Sequence, residues 1–454
     1  MRFRGFVAGA AVLAVAACSD LTVPDYNNPS LEDLEANPTP AKIATAAQGL
    51  LIGSRTQMGA QNGYVSLLGI LGRESYNFDP ADPRFITEML IGPLDGGSPA
   101  FGGNLFALQY RNIRNGHTLL HALDVVTGLS DAEKEATRGF AKTIMALDFL
   151  HVINTRDDLG APIDVDRPPT ADPAPIVSKA EVFAHIVSLL EDGRTHLQAA
   201  GSEAFPFSLP PGFAAFATPT TFLEFNRALK ARVDVYMGNY GVALTSLGAS
   251  FLDTDAPLEL GAYYSYSTGS GDLQNALFDP NGRAILAHPS IETDAQTRAS
   301  GEPDLRLGKV AHLNDPHTVQ GITTDLVFTV YEDNTAPIPI IRNEGLILLR
   351  AEARVQTDDL PGALADINHI RVNAGGLEPL AGAFTAQELM NEIVYNRRYS
   401  LLFEGGHRWI DARRLGLLGT LPLALPTHGI FSRFPFPEAE CLARVPAPSG
   451  CPQG

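Results

Sequence analysis

Four segments of the sequence carry the pattern of a helix capping box, in which Ser or Thr is followed three residues later by Glu. The boxes occupy residues 130–133, 178–181, 221–224 and 385–388. In this box the two side chains satisfy backbone N–H groups of the first turn that have no partner within the helix. Helices that begin this regularly predict stacked helical hairpins.

Two further segments have the pattern of the turn inside a tetratricopeptide hairpin. Residues 238–244 lead through Gly-Asn-Tyr-Gly into a helix start, and residues 359–364 place Pro361 in the first helical turn. Long insertions interrupt the roughly 34-residue period of a regular tetratricopeptide array. The sequence therefore predicts a mainly α fold, with distorted tetratricopeptide-like hairpins, long loop insertions and little β structure.

The N-terminus has the pattern of a lipoprotein signal peptide. Arg2 and Arg4 precede an apolar run over residues 6–15, too short to span a bilayer, and Val-Ala-Ala-Cys follows at residues 15–18. The alternative is an ordinary secretory signal, with Cys18 incidental. We favour lipidation of Cys18, because the cysteine lies where a cleavage site must be. The predicted parts are a signal peptide (1–17), a lipidated tether (18–29) and one helical domain (30–454).

The net charge of −18 argues against two classes of partner. Nucleic-acid-binding proteins carry a basic footprint, and electrostatic docking on anionic lipid also needs basic residues. The acidic balance is compatible with neutral or cationic ligands.

Two cysteines follow the predicted lipidation site, Cys441 and Cys451. In an exported protein, two cysteines this close in sequence are expected to form a disulfide. The alternative is a pair of free thiols in a C-terminal tail.

Neither a metal site nor a catalytic constellation stands out in the sequence. His117 and His121 share a helix face, but Thr118 stands where a zinc protease needs glutamate. Four aspartates within residues 157–166 lack EF-hand spacing, which favours a solvated acidic loop over a calcium site. No Gly-x-Ser-x-Gly elbow and no Gly-rich phosphate loop occurs. We therefore expect a protein without enzymatic activity, metal or cofactor.

The segment 396–416 concentrates charged side chains around the only tryptophan, Trp409. Its pattern predicts a helix that ends at the glycine pair 405–406, followed by a second short helix. Arg397 and Glu404 are expected on one side of the first helix, because they are seven residues apart.

This charged cluster has two interpretations. Its arginines form a pocket for an anionic ligand, or its arginines and acids neutralise one another and hold the C-terminal helix to its neighbours. Because basic and acidic residues alternate, we favour the internal network. The residues given this structural role are Arg397, Glu404, Arg408, Trp409 and Asp411.

The same segment resembles the C-terminal signature of the SusD/RagB family, a pattern of the type E-R-R-x-E-L-x-F-E-G-x-R-W-x-D-L-R-R. Order and spacing agree apart from one extra glycine, and Asn396 and Ser400 stand where the family usually has acids. The resemblance extends over most of the mature chain and is most specific over residues 339–440. It implies a SusD-like helical fold.

The resemblance also implies a function. Proteins of this family are surface-exposed lipoproteins of the outer membrane that bind a nutrient, and an oligosaccharide or polysaccharide is the expected ligand. The implied partner is a TonB-dependent transporter of the SusC type, which receives the nutrient. A helical adaptor without a small ligand and a surface glycan hydrolase are the alternatives.

Aromatic loops are the expected ligand contacts, because the C–H faces of sugar rings pack on aromatic side chains. Residues 263–271 hold three tyrosines before a Gly/Ser-rich tail, which favours exposure, and residues 73–79 form a second aromatic loop. We expect both loops on one face of the scaffold, away from the C-terminal signature. The predicted contact residues are Tyr76, Tyr263, Tyr264 and Tyr266.

Overall fold

A computed structural model of the chain describes residues 31–97, 99–168, 170–279 and 281–451. The predicted signal peptide, Cys18 and the tether therefore lie outside the described residues. Within the described ranges, no helix combines the length and the hydropathy that crossing a membrane requires. The described chain is mainly helical with little strand, so the predicted fold class is confirmed.

Helices of the N-terminal half pack in chain order, each against the next, from α5 to α9. The helices of this half are α1 (Leu31–Ala36), α2 (Pro40–Arg55), α3 (Tyr64–Leu71), α4 (Arg84–Ile86), α5 (Asn104–Val125), α6 (Asp131–Arg156), α7 (Lys179–Ala200), α8 (Pro219–Tyr236) and α9 (Tyr240–Gly248). Those of the C-terminal half are α10 (Ser290–Thr293), α11 (Asn343–Gln356), α12 (Leu360–Asn373), α13 (Ala386–Ser400), α14 (His407–Arg414) and α15 (Glu438–Leu442).

Three of the predicted capping boxes begin helices as expected. The side chains of Ser130, Ser178 and Thr385 each accept a hydrogen bond from the backbone N–H three residues later. The glutamate carboxylate at that position accepts one from the backbone N–H of the cap residue. These boxes open α6, α7 and α13. Because all their hydrogen bonds are local, four residues of sequence are enough to predict them.

The fourth box was placed wrongly. Thr218 is the cap of α8, and Thr221 is the third residue of the helix rather than its cap. Pro219 occupies the first helical position, where its fixed φ is preorganised for a helix and its missing N–H costs nothing. The helix therefore begins three residues before the predicted start.

Both predicted tetratricopeptide-like hairpins are present. Gly238, at φ +77°, ends α8 and leads into α9. Asp359 caps α12 by accepting from the Gly362 N–H at 3.0 Å, with Pro361 in the first turn. One large hydrophobic core joins the N-terminal helices to the strands, and two smaller clusters lie among α11, α12 and α13.

The strands form three antiparallel sheets within the described residues. A four-stranded sheet has the order β1-β5-β7-β6, and the pairs β2-β3 and β4-β8 form the others. The strands are β1 (Ser75–Asn77), β2 (Ala161–Pro162), β3 (Ile176–Val177), β4 (Gly261–Tyr264), β5 (Ile285–Ala287), β6 (Val310–Val319), β7 (Ile322–Phe328) and β8 (Ile338–Arg342).

The helix α13 ends earlier than the glycine pair at residues 405–406 predicts. α13 stops at Ser400, and Phe403 takes φ +57°, with its ring stacked 4.2 Å from that of Phe328. Gly406, at φ +67°, precedes α14 instead of closing α13, and a Cβ there would lie 2.3 Å from Leu68. Packing of Phe403 against the sheet therefore decides where the helix ends.

The C-terminal segment carries one disulfide. Cys441, in α15, is bonded to Cys451, and their Cα atoms are 5.8 Å apart. The bridge closes a loop near the end of the described chain.

Candidate functional site

Three of the predicted contact residues line one cavity, which we call the tyrosine cleft. Its volume is about 570 Å³, a size typical of small-ligand sites. Its walls come from α2, from residues 208–213 and from residues 263–272, which continue out of β4. The structure thus brings Tyr263, Tyr264 and Tyr266 together in one site.

Burial of Tyr264 and Tyr266 contradicts the predicted exposure of their rings. Tyr264 is 3% and Tyr266 is 7% exposed. The Tyr264 hydroxyl is hydrogen-bonded to the Ser54 hydroxyl at 3.0 Å, and the Arg55 guanidinium lies 5.5 Å from the centre of the Tyr266 ring. Both rings belong to the packed floor of the cleft, so their removal would destabilise the fold as well as change the site.

Tyr263 is the partly exposed tyrosine of the three. Its hydroxyl donates to the Glu259 carbonyl oxygen, and Tyr263 also lines a further cavity, of about 730 Å³, together with Glu259, Arg342 and Glu344. Burial raises the pKa of Tyr263 to about 12, so the phenol stays neutral at physiological pH. Tyr263 therefore borders two cavities, and it is the one of the three tyrosines whose side chain is partly exposed.

The rim of the cleft combines charge with apolar surface. Arg55 donates to the Ser265 carbonyl oxygen and to the Asp272 carboxylate. Although partial burial opposes ionisation of Asp272, hydrogen bonds from Ser267 and a backbone N–H and the nearby Arg55 charge hold its pKa below the usual value. Ile52, which is 51% exposed, adds apolar surface beside this ion pair. Such a lining suits a ligand with both C–H faces and hydroxyl groups.

Tyr76 lies outside the tyrosine cleft, so the prediction that it is an exposed contact is wrong. It sits in β1 and is 1% exposed. Its ring stacks on Phe78 at 5.5 Å and contacts His288 at 5.0 Å between ring centres. The alternation of Tyr76 and Phe78 in the sequence is the signal for this strand, because alternate residues share one face of a sheet.

A second cavity lies next to that strand. Its volume is about 540 Å³, and its lining is drawn from residues 77–86, 281–284 and 317–320 together with Asp279. It shares no lining residue with the tyrosine cleft. The two predicted aromatic loops therefore border different cavities rather than one site.

Part of the C-terminal signature forms a buried ion network around Glu352. The fully buried Glu352 carboxylate accepts from Arg397 at 2.5 Å and from Arg414 at 2.5 and 2.7 Å. Arg414 also donates to Asp411 at 2.7 Å. Burial alone would raise the pKa of Glu352, but the two guanidinium groups outweigh it and hold the pKa below its usual value.

Glu404 belongs to a different cluster. It accepts from Arg342 at 2.7 and 2.9 Å and from Lys309 at 3.3 Å. The prediction that Arg397 and Glu404 share one side of a helix is wrong, because α13 ends before Glu404.

The two departures from the family signature meet at one arginine. Arg306 donates to the Asn396 side-chain oxygen at 3.0 Å and to the Ser400 hydroxyl at 2.9 Å. Asp304 already neutralises this guanidinium at 2.6 Å. Neutral side chains at positions 396 and 400 therefore satisfy Arg306 without adding buried negative charge.

Arg408 differs from the other arginines of the signature. Its Nη1 donates to the Arg73 carbonyl oxygen at 2.8 Å, and no carboxylate among the described residues forms an ion pair with it. Its predicted place in an ion-pair network is therefore wrong. The neighbouring Trp409 is fully buried, and its indole N–H donates to the Phe431 carbonyl oxygen at 2.7 Å.

Glu74 gives a prediction for the pH dependence of stability. The side chain is 1% exposed, and burial raises its pKa to about 7 although Arg408 acts in the opposite direction. The unfolded chain releases this proton more readily, so stability falls as the pH rises from about 4.5 to about 7. We expect Glu74→Gln to flatten this part of the curve and to stabilise the protein at pH 8, in urea unfolding at several pH values.

The control for this experiment is Glu302→Gln, because the Glu302 side chain is 66% exposed. This variant should keep the wild-type curve. Part of the slope should remain in Glu74→Gln, since burial also raises the pKa of Asp148 to about 7. An unchanged slope in Glu74→Gln would show that another group titrates in this range.

The histidines and aspartates considered for metal binding have other partners. His117 and His121 both face Asp166, at 3.6 and 2.9 Å. Two aspartates of the acidic loop are in ion pairs rather than merely solvated. Arg413 pairs with Asp157, and Arg433 pairs with Asp158. Over the part of the chain that the structure describes, no group of three or more His, Cys, Asp or Glu residues is arranged to hold a metal ion.

Comparison with known proteins gives one family. Residues 317–426 match the model of the SusD family. A SusD superfamily protein from Parabacteroides distasonis has a TM-score of 0.68 at 14% identity, over 91% of this chain and 98% of that chain. A SusD superfamily protein from Bacteroides vulgatus has a TM-score of 0.67 at 15% identity, over 90% and 99%. No curated protein sequence matches.

A third structure is described as a SusD-like carbohydrate binding protein from Bacteroides vulgatus. Its TM-score is 0.62 at 18% identity, over 83% of each chain. At these identities the structures show a shared fold. The family model, in addition, matches the sequence of residues 317–426. This segment runs from β6 past α14 and includes the buried Trp409. The match to the SusD family is therefore to residues 317–426, and the solved structures add the shared fold over about nine tenths of the chain.

Proposed function

We propose that this protein is a surface lipoprotein that binds an oligosaccharide or polysaccharide in the tyrosine cleft and delivers it to a TonB-dependent transporter of the SusC type. The observation that carries the proposal is the cleft itself. A cavity of about 570 Å³ combines three tyrosines, of which Tyr263 is partly exposed, with the Arg55–Asp272 pair. Aromatic faces and rim hydrogen-bonding groups are the chemistry that a sugar ring needs.

Family relationship supports the same ligand class. One of the similar structures is described as a SusD-like carbohydrate binding protein, and another as a putative sugar binding protein. Both share the fold of this chain over 83% of its length. The proposal takes only the ligand class from these structures. The individual contacts are inferred from the cleft of this chain.

Binding without hydrolysis fits the carboxylates of the cleft. A glycosidase needs two carboxyl groups about 5 to 9 Å apart across its substrate. Among the described residues that line the tyrosine cleft, Asp272 is the single acid. This argues against the hydrolase alternative at this site, and turnover of a glycan by the purified protein would restore it.

Attachment to the outer membrane is proposed through Cys18. The lipobox pattern at residues 15–18 supports lipidation. A helical adaptor without a small ligand is the remaining alternative. Co-purification with a transporter, combined with no affinity for any glycan in a broad panel, would favour the adaptor.

Tyr263→Ala tests the assignment of the cleft. We expect about fivefold weaker binding of a glycan selected from a panel with the wild-type protein, because one ring contact is worth about 1 kcal/mol. The melting temperature should change little, since Tyr263 is only partly buried. Isothermal titration calorimetry and thermal unfolding measure the two effects.

Tyr240→Ala is the matched control. Tyr240 is also a partly buried tyrosine, at the start of α9, and does not line the cleft. Its removal should leave glycan affinity unchanged. Equal affinities of Tyr263→Ala and the wild type would move the binding site away from this cleft.

A further inference from the structure

A further cavity, which we call the arginine cavity, lies beside α13 and α14. Its volume is about 640 Å³, and residues within 290–294 and 417–422 complete its lining. Asn391 and Thr420 contribute polar groups, and Tyr395 contributes an aromatic ring. This cavity shares no lining residue with the tyrosine cleft. It is therefore a separate candidate site.

The arginine cavity carries one positive charge that no ion pair within the described residues neutralises. Its lining includes three arginines and two aspartates. All of these except Arg408 are in ion pairs, which are Arg397 with Glu352 at 2.5 Å, Arg398 with Asp294 at 2.7 Å and Asp411 with Arg414 at 2.7 Å. A guanidinium without a direct carboxylate partner attracts an anionic group, even in a chain with a net charge of −18.

The geometry of Arg408 leaves donors available. Nη1 donates to the Arg73 carbonyl oxygen at 2.8 Å, which holds the guanidinium in place, and Nε and Nη2 have no acceptor among the described residues. Burial, with the Arg398 charge beside it, lowers the pKa of Arg408 to about 9. An anion bound at this guanidinium would offset the free-energy cost of burying its positive charge, because the anion supplies an opposite charge in direct contact.

Glu74 does not supply the opposite charge for Arg408. It is buried near Arg408, but it forms no ion pair with the guanidinium, and one of its carboxylate oxygens has no hydrogen-bond partner. Burial raises its pKa to about 7, so that near neutral pH a large share of the Glu74 side chains is protonated. The charge of Arg408 therefore stays available to a ligand.

We propose that the arginine cavity binds the carboxylate of a small acidic ligand, with the Arg408 guanidinium as the principal contact. A carboxylate matches the planar fork of donors that a guanidinium presents. Tyr395 and Asn391 offer a ring face and an amide to the rest of the ligand, which fits a sugar acid such as a uronic acid. This site is independent of glycan binding in the tyrosine cleft.

Glucuronate and glucose form a matched pair of probes, because they differ only in the carboxylate that replaces a hydroxymethyl group. In isothermal titration calorimetry with the wild-type protein, we expect glucuronate to bind at least tenfold more tightly than glucose. We expect Arg408→Gln to remove this preference, because the amide carries no charge.

Arg433→Gln is the control for net charge. Arg433 lies outside the cavity, and its side chain is 38% exposed in an ion pair with Asp158. This variant should bind glucuronate as the wild type does. Equal binding of glucose and glucuronate by the wild type, or no binding of either, overturns the proposal without any variant. A folded Arg408→Gln with wild-type affinity for glucuronate also overturns it.

Acetate and inorganic phosphate separate the possible sources of the anion. Competition by acetate at high concentration supports carboxylate recognition and assigns the site to small carboxylates in general. Absence of competition by acetate, with glucuronate still bound through Arg408, supports a sugar acid. Stronger competition by phosphate than by acetate overturns the carboxylate assignment. Loss of glycan binding in Tyr263→Ala, with glucuronate binding intact, would show that the two sites are separate.

Discussion

Replacing Glu352 by alanine is expected to lower the free energy of unfolding by about 3–5 kcal/mol. The Glu352 carboxylate is fully buried and accepts hydrogen bonds from Arg397 and Arg414. Removing it leaves two buried guanidinium groups that share Asp411, at 3.6 and 2.7 Å, as their one remaining carboxylate among the described residues. Urea unfolding at pH 7, followed by circular dichroism, measures the loss.

Glu302→Ala provides the matched control for this prediction. Glu302 also pairs with an arginine, Arg298, but its side chain is 66% exposed. Because exposed ion pairs contribute little, we expect this variant to lose less than about 1 kcal/mol. Equal losses in the two variants would show that the Glu352 network contributes no more than a surface pair. A melting temperature of Glu352→Ala equal to that of the wild type would contradict the assigned structural role.

Cys18→Ala is expected to move the protein from the membrane fraction to the soluble fraction. The prediction rests on the lipobox pattern at residues 15–18 and on the need for acyl chains to hold a protein at a bilayer. Fractionation of cells, with immunoblotting of each fraction, measures the distribution.

The double variant Cys441→Ala with Cys451→Ala is the control. It removes the disulfide between these residues and leaves the predicted lipidation site intact. This variant should stay in the membrane fraction, whereas the soluble Cys18→Ala protein should unfold at the wild-type temperature. If Cys18→Ala remains in the membrane fraction at the wild-type level, lipidation of Cys18 is not what holds the protein there.

Helix starts are where sequence reasoning was most reliable. The boxes at Ser130, Ser178 and Thr385 open α6, α7 and α13 as predicted. The failure at α8 has a local cause as well, since Thr218 and Thr221 form the capping box, and Thr221 stands in place of the expected glutamate. A wider definition of the capping pattern would have found it.

The candidate site was predicted only in part. Sequence reasoning identified Tyr263, Tyr264 and Tyr266, which the structure brings into one cleft. It missed Arg55 and Asp272 at the rim, because they are 217 residues apart in sequence and meet only through packing. It also overestimated the exposure of Tyr264 and Tyr266, because the Gly/Ser-rich tail after them does not indicate that a helix covers their rings.

The sequence by itself determined those features whose hydrogen bonds or spacing lie within a few residues: the helix starts, the hairpin turn at Asp359 and the signature that marks the family. Only the tertiary structure decided which charges are paired and which rings are covered. Arg342 meets Glu404 across 62 residues and Tyr264 meets Ser54 across 210, whereas Arg408 meets no carboxylate among the described residues. Burial and ion pairing depend on segments that are distant in sequence, so a local pattern cannot determine them.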